Sequence, residues 1–188
     1  MKKYTFLFLL AIALVSCSPK KDESAKQETA AAAPAVDIEA RLKELNIQLV
    51  EPSVPTANFV KTVRVGNLVY TSGHGPDKPE GGTLQGVVGG DLTLEQGQEA
   101  ARLTGIALLS SLKKEIGDLS KVKRVVKVLG MVQCTPEFKD QPKVMNAFSD
   151  MMVDVFGEKG KHARSAVGMV ALPGNIAVEI EMIVEVED

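Results

Sequence analysis

"HARSAVGMVALPGNIAVEIEMIVEVE", residues 162–187, predicts two strands that are joined across Pro173–Gly174. In the second strand apolar side chains alternate with carboxylates, so one face packs against helices and the other faces water or a neighbouring subunit. Ile183 interrupts the acidic face, which favours partial cover of that face as well. Arg164 heads the first strand among small and apolar residues, and a guanidinium in such surroundings needs a partner.

The upstream segments predict an α+β layer. Two β-branched runs flank Gly66–Asn67 and indicate a hairpin, and residues 122–134 read as a third strand. Residues 93–117 and 143–157 have the apolar spacing of helices. The element order is therefore β-β-α-β-α-β-β, which predicts helices packed on one face of a mainly antiparallel or mixed sheet. The long glycine-rich loop of residues 74–91 suggests function or mobility.

Cap residues set the predicted helix ends. Asp37 is expected to cap a short helix over residues 38–47. Thr93 and Gln96 have the spacing of a capping box at the start of the long helix. Gly117 is expected to end that helix.

The N-terminal residues predict a compartment. Residues 1–16 have the charged start and short apolar run of a lipoprotein signal peptide, and Cys17 stands at its cleavage point as the expected lipidated residue. The alternative is an ordinary secretory signal with a spare cysteine. Residues 17–36 would be the lipidated cysteine and a flexible tether, and residues 37–188 a single domain. The expected location is the bacterial cell envelope, with Ser18 favouring the outer membrane over the inner one.

Composition argues against nucleic-acid binding. The net charge is −2, and loss of Lys2 and Lys3 on cleavage would make the chain more acidic. No basic stripe with interleaved aromatic residues is present, so affinity for RNA or DNA is not expected. With Cys17 acylated, Cys134 would have no intramolecular disulfide partner and is predicted to be a small buried hydrophobe at a strand end.

Most polar motifs do not indicate catalysis by themselves. His74 and His162 lie far apart without the spacing of a metal site, so no metal is expected, and His74 is predicted to be a solvent-exposed loop residue. The glycine-rich stretches lack the phosphate-loop patterns. Ser72 is not in a nucleophile elbow, so a ligand-binding role is favoured over covalent catalysis.

Two interpretations of Arg164 stay open from the residues alone. Glu179 and Glu181 point the same way along their strand, and a covered carboxylate there would need neutralising. Arg164 could be their ion-pair partner on a strand taken to be adjacent. Alternatively, it could hold a ligand that binds and leaves.

Taken together, "GNLVYTSGHGP" (residues 66–76), "ARSAV" and "LP" followed by "VEIE" resemble the RidA/YjgF family, the imine and enamine deaminases also labelled endoribonuclease L-PSP. The resemblance covers about residues 55–187. It implies a chorismate-mutase-like fold and a homotrimer with ligand clefts between subunits. The longer loop and "FGEKGKHARSAVG" resemble a less characterised branch of that superfamily.

The resemblance also implies a reaction and its residues. The family hydrolyses small reactive enamine or imine carboxylic acids, such as 2-aminoacrylate and 2-iminobutanoate, to 2-keto acids and ammonia without a cofactor. By motif position Arg164 would bind the substrate carboxylate and Glu179 would position or activate water. Ser72 and Gly73 would line the cleft, and Asn146 matches a polar cleft residue.

Three positions depart from the family pattern. Phe59 occupies the substrate-binding position where the deaminases usually have tyrosine, Ala166 replaces a frequent cysteine, and Gly168 replaces an acidic residue. These departures keep a second function open, a non-catalytic module of the same fold that binds small carboxylates or envelope partners.

Overall fold

The computed structural model describes residues 37–188, and Cys17 with its signal and tether lies outside them. Residues 37–188 form a five-stranded sheet with three α-helices, and the predicted order β-β-α-β-α-β-β is confirmed. The elements are α1 (Ile38–Glu44), β1 (Thr62–Val65), β2 (Leu68–Thr71), α2 (Leu94–Ile116), β3 (Val122–Gln133), α3 (Gln141–Phe156), β4 (Ala163–Met169) and β5 (Val178–Val186).

The sheet is mixed, as predicted, and its strand order is β1-β2-β5-β3-β4. β3 and β4 run parallel because α3 carries the chain back between them, while all other neighbours are antiparallel. The last strand therefore lies in the middle of the sheet. β4 forms one edge and is separated from β5 by β3.

The predicted helix caps are confirmed. The Asp37 side chain accepts a hydrogen bond from the backbone of Ala40. Thr93 and Gln96 form the capping box, and the Gly117 N–H donates to the Lys113 carbonyl at the end of α2. These contacts pair backbone groups that helix ends otherwise leave unsatisfied.

One face of the sheet carries the hydrophobic core. Its residues pack against α2 and α3, whose large buried side chains include Leu108, Leu109, Leu112, Met145 and Phe148. On β5 the predicted alternation is confirmed, since every second residue faces this core, namely Val178, Ile180, Met182, Val184 and Val186.

The opposite face of the sheet, called the open face below, is uncovered by any element of the described chain. Apolar side chains dominate its β1–β2 end, with Val63 51% exposed and Tyr70 41% exposed. A depression of about 390 Å³ crosses the middle of the face and is lined by Tyr70, Lys127, Leu129, Ser165, Glu181 and Ile183, among others. Such a mixture of apolar and charged groups is typical of a surface that meets another protein.

The glycine-rich loop of residues 74–91 is tied to the sheet at several points. His74 exchanges two backbone hydrogen bonds with Ile180, so β2 effectively continues past its end. Val88 pairs with Cys134 and is fully buried. The loop thus covers one end of the core.

Candidate functional site

Glu179 projects from β5 onto the open face, because its neighbours Val178 and Ile180 are both fully buried on the helix side. Its carboxylate lies directly over Gly73: a Cβ built on Gly73 would sit 1.9 Å from Glu179 Oε1. Only glycine leaves room for the carboxylate at this point. The structure therefore brings together two of the residues that the sequence predicted for the cleft.

The Glu179 carboxyl is half-buried and accepts no hydrogen bond from the described chain. Burial raises its pKa, and the charge of Glu181 raises it further. Desolvation and a like charge both disfavour the ionised form. A carboxyl in this state can exchange a proton closer to neutral pH than an ordinary glutamate, which suits acid–base chemistry.

Ser72 holds the backbone beside Gly73. Its hydroxyl donates to the Val60 carbonyl at 2.6 Å, and its N–H donates to the Lys61 carbonyl at 2.9 Å. These bonds bring the segment before β1 to the same edge as Gly73. Phe59 directly precedes Val60 in the chain, so its backbone lies near this edge, and its side chain is 46% exposed.

His74 corrects a prediction. It was expected to be solvent-exposed, but it is 2% exposed. Its Nδ1 lies 2.8 Å from the Ser72 carbonyl and its Nε2 lies 2.7 Å from Ser111 Oγ. Burial is the main cause that lowers its pKa, which keeps the ring neutral. His74 is a buried support of the Ser72–Gly73 backbone. The prediction failed because the ring also contacts Ser111 on α2, which is distant in sequence.

Arg164 lies on the other side of the sheet. Its register partner on β3 is Val128, which faces the helices, and the guanidinium rests against α3. Nη1 donates to Ser149 Oγ at 2.9 Å and to Asn146 Oδ1 at 3.1 Å, while Nη2 lies 3.5 Å from the Pro142 carbonyl. These three α3 residues are spaced three or four positions apart, which places them on one helix face.

All three partners of Arg164 are neutral oxygens, and no carboxylate of residues 37–188 forms an ion pair with it. The guanidinium is thus oriented while its charge stays uncompensated, which is the state that binds a carboxylate ligand. Asn146 was predicted for the site and contacts Arg164. Ser149 was missed, although its spacing from Asn146 on a predicted helix could have indicated it.

The proposed ion pair between Arg164 and Glu179 or Glu181 is wrong. β4 does not neighbour β5, since β3 lies between them, and the two side chains project from opposite faces of the sheet. Within one chain the predicted residues form two half-sites. The Glu179 half-site contains Ser72 and Gly73, and the Arg164 half-site contains Asn146 and Ser149.

The small residues after Arg164 have separate packing roles. A Cβ on Gly168 would lie 2.8 Å from Cys134 Sγ, so this glycine permits close packing at the end of β3. Cys134 is buried there, as predicted. Ala166 packs against the core, and Ser165 Oγ accepts a hydrogen bond from Lys127 Nζ at 3.0 Å on the open face.

Within residues 37–188 no group of three or more metal-ligating side chains is found, and no helix is long and apolar enough to cross a bilayer. The two half-sites present a guanidinium, a carboxyl with a raised pKa and neutral hydrogen-bonding groups.

The fold is an α+β layer with one mixed sheet, and its two half-sites present a guanidinium and a carboxyl group. Residues 39–186 match the family model described as "YjgF/chorismate mutase-like, putative endoribonuclease", and the chain belongs to this YjgF/RidA-like family. Protein TCP17 of Trypanosoma cruzi is 40% identical over 152 residues, which are 80% of this chain and 95% of TCP17.

Solved structures agree with this assignment. The crystal structure of Atu1372 from Agrobacterium tumefaciens is 43% identical with a TM-score of 0.74, covering 80% of this chain and 94% of that one. A "putative endoribonuclease" of Shewanella oneidensis is 28% identical with a TM-score of 0.76, covering 79% and 99%. The family relationship indicates a small-molecule deaminase or endoribonuclease-like function.

Proposed function

We propose that the chain hydrolyses small enamine or imine carboxylic acids to 2-keto acids and ammonia. The observation that carries the proposal is the uncompensated guanidinium of Arg164, oriented by neutral partners on α3. Substrates of this class carry a carboxylate, for which arginine offers two parallel N–H donors. The acidic composition and the lack of a basic stripe favour this reaction over cleavage of RNA.

The reaction needs one proton-transfer group, and Glu179 supplies it in this proposal. The enamine gains a proton at carbon and loses one from nitrogen to become the imine. Glu179 takes a proton from a water whose oxygen adds to the imine carbon, and it passes that proton to the nitrogen to give a carbinolamine. It then takes the hydroxyl proton of the carbinolamine and delivers it to the nitrogen, so that the C–N bond breaks with release of ammonia while the C=O bond of the keto acid forms. The raised pKa of Glu179 suits a group that must both accept and donate a proton.

We propose further that the cleft forms between subunits of a homotrimer. In one chain the two half-sites lie on opposite faces of the sheet, so neither is complete alone. The apolar side chains on the open face, such as Val63 and Tyr70, would be covered by a second copy. Oligomers of one chain commonly build their sites this way, with each interface repeating the same pair of surfaces.

Arg164→Ala tests the reaction. Imino acids are generated with an amino-acid oxidase, the protein is added, and release of keto acid is followed. Loss of hydrogen bonds to a charged group should raise KM by about 10- to 100-fold, with partial retention in Arg164→Lys. No acceleration by the wild-type protein, or equal acceleration by Arg164→Ala, would refute the proposal.

A second candidate function is a non-catalytic module that binds small carboxylates or envelope partners. It is favoured by Phe59, which offers no hydroxyl at the edge beside Gly73. Calorimetry with pyruvate separates the two functions. Binding that is lost in Arg164→Ala, without turnover of any imine, would support the module, and a failure to bind any carboxylate would exclude it.

We also propose that the protein is held at a membrane through a lipid on Cys17, after removal of residues 1–16. The support is the sequence pattern alone, since these residues lie outside the described part of the chain. Cys17→Ser should leave the chain unprocessed and unacylated. Metabolic labelling with a fatty acid measures this directly, and normal labelling and anchoring of Cys17→Ser would rule the lipid out.

A further inference from the structure

A chain of hydrogen bonds connects His162 to Arg164 through Ser149. His162 Nδ1 lies 2.7 Å from the Gly160 carbonyl oxygen, and its Nε2 lies 3.1 Å from Ser149 Oγ. A carbonyl can only accept, so Nδ1 carries the proton and the neutral ring presents the lone pair of Nε2. The Ser149 hydroxyl must then donate to Nε2, because Nε2 has no proton to give.

This direction fixes the orientation of the Ser149 hydroxyl. Its single proton points at His162, so its oxygen lone pairs are available for Arg164 Nη1, which lies 2.9 Å away. Without an acceptor at Nε2 the hydroxyl could rotate and donate elsewhere, for example to the backbone carbonyl one turn earlier in α3. By accepting the hydroxyl proton, His162 leaves the oxygen lone pairs of Ser149 to accept the hydrogen bond from the Arg164 guanidinium.

The imidazole is itself held in place. It packs edge-on against Phe148, with ring centroids 5.9 Å apart and an interplanar angle of 70°. Its acceptor Gly160 lies so close to α3 that a Cβ there would be 2.1 Å from the Met152 carbonyl oxygen. Burial is the main cause that lowers the pKa of His162, and the charge of Arg164 lowers it further. The neutral ring required by the hydrogen-bond chain is therefore the favoured form.

We propose that His162 is a positioning residue that acts through Ser149 to hold the Arg164 guanidinium ready for a substrate carboxylate. This inference rests on the proposed function, since it concerns the same carboxylate-binding site. An arginine side chain loses much rotational freedom when it is fixed, and no carboxylate of residues 37–188 pairs with Arg164 to fix it. Neutral partners orient the guanidinium without cancelling the charge that the ligand needs.

Two substitutions separate positioning from packing. His162→Phe keeps a ring against Phe148 but removes the acceptor, whereas His162→Gln keeps an oxygen acceptor near the place of Nε2. We expect His162→Phe to bind pyruvate about 3- to 10-fold more weakly, because it loses the hydrogen bond with Ser149. His162→Gln should keep the wild-type affinity. On a Ser149→Ala background His162→Phe should add no further loss, because its effect passes through Ser149. Thermal unfolding of each variant checks that the fold is kept.

A ligand-free measurement tests the inference independently of binding and turnover. Nitrogen-15 relaxation of the Arg164 Nε–H should report a rigid side chain in the wild type and in His162→Gln, and a mobile one in His162→Phe and Ser149→Ala. If His162→Phe does not fold, Ser149→Ala against Ser149→Thr repeats the comparison, since threonine keeps the hydroxyl. An equally rigid Arg164 in variants that lack the acceptor or the hydroxyl would overturn the inference.

Failure of the positioning role of His162 can be told apart from failure of the proposed deaminase reaction. Pyruvate binding with the expected pattern but without imine turnover would refute the deaminase and support the positioning role. If the wild-type protein does not bind pyruvate, the carboxylate site fails, and Arg164 mobility alone decides whether His162 positions the guanidinium.

Discussion

Glu179→Gln is expected to lower kcat for imine hydrolysis by about 10²- to 10⁴-fold, the range that positioned proton transfer contributes. Glutamine has nearly the same shape, so it should still lie over Gly73, but it can neither take a proton from water nor return one. KM should change little because the substrate carboxylate binds Arg164. Steady-state release of keto acid from enzymatically generated imino acids measures both constants.

Glu181→Gln provides the matched control. Glu181 points the same way two residues further along β5 but is exposed and does not lie over Gly73. Its replacement should leave kcat within a few-fold at neutral pH. Because its charge helps to raise the pKa of Glu179, its removal should move the acidic limb of the pH–rate profile to lower pH. If Glu179→Gln and Glu181→Gln were equally active, Glu179 would not be the proton-transfer group.

Gly73, which lies under the Glu179 carboxylate, gives a second test of Glu179 as the proton-transfer group. Gly73→Ala would force Glu179 away, since the added Cβ would lie 1.9 Å from Oε1. Gly75→Ala meets only the tip of the Ile176 side chain at 3.1 Å, which can yield. We expect Gly73→Ala to approach the low kcat of Glu179→Gln while Gly75→Ala stays close to the wild type.

Local rules account for the parts of the fold that the sequence predicted well. The capping box at Thr93, the cap at Asp37 and the alternation along β5 each depend on residues within a few positions of one another. Such contacts form wherever the segment lies in the protein. The element order and the helix-on-one-face architecture followed from them.

Strand order was not predictable in the same way. The expected contact between Arg164 and Glu179 assumed that strands consecutive in sequence are adjacent, which holds only part of the time. The segment β3–α3–β4 is instead a parallel crossover unit that inserts β3 between the other two strands. Its helix length gave a clue, since a connection of that size permits parallel pairing.

The candidate site was predicted residue by residue but not as a geometry. Family motifs indicated Arg164, Glu179 and Gly73, yet only the structure places the first on the helix side of the sheet and the other two on the open face. His74 was mistaken for an exposed residue because its burial depends on Ser111, far away in the chain. Long-range contacts of this kind leave no periodic signal in the sequence.

The separation of the half-sites leads to a prediction for mixed oligomers. At substrate concentrations well below KM, Arg164→Ala and Glu179→Gln should each keep less than about one tenth of wild-type activity alone, but co-assembly of equal amounts should restore about one quarter of it. If each cleft takes its arginine from one subunit and its glutamate from the next, about one cleft in four receives both intact residues by chance. Native mass spectrometry of differently tagged chains verifies that hybrids form before activity is measured.

A mixture of the wild-type chain with the double variant Arg164→Ala/Glu179→Gln also tests whether each cleft is shared between two subunits. Clefts shared between subunits would leave about one quarter of them intact in an equal mixture, whereas clefts contained in single subunits would leave about one half. Hybrids of the two single variants that stay as inactive as their parents would show that Arg164 and Glu179 do not meet across an interface. Restoration of activity requires that Arg164 and Glu179 meet across an interface, because within one chain the sheet itself lies between them.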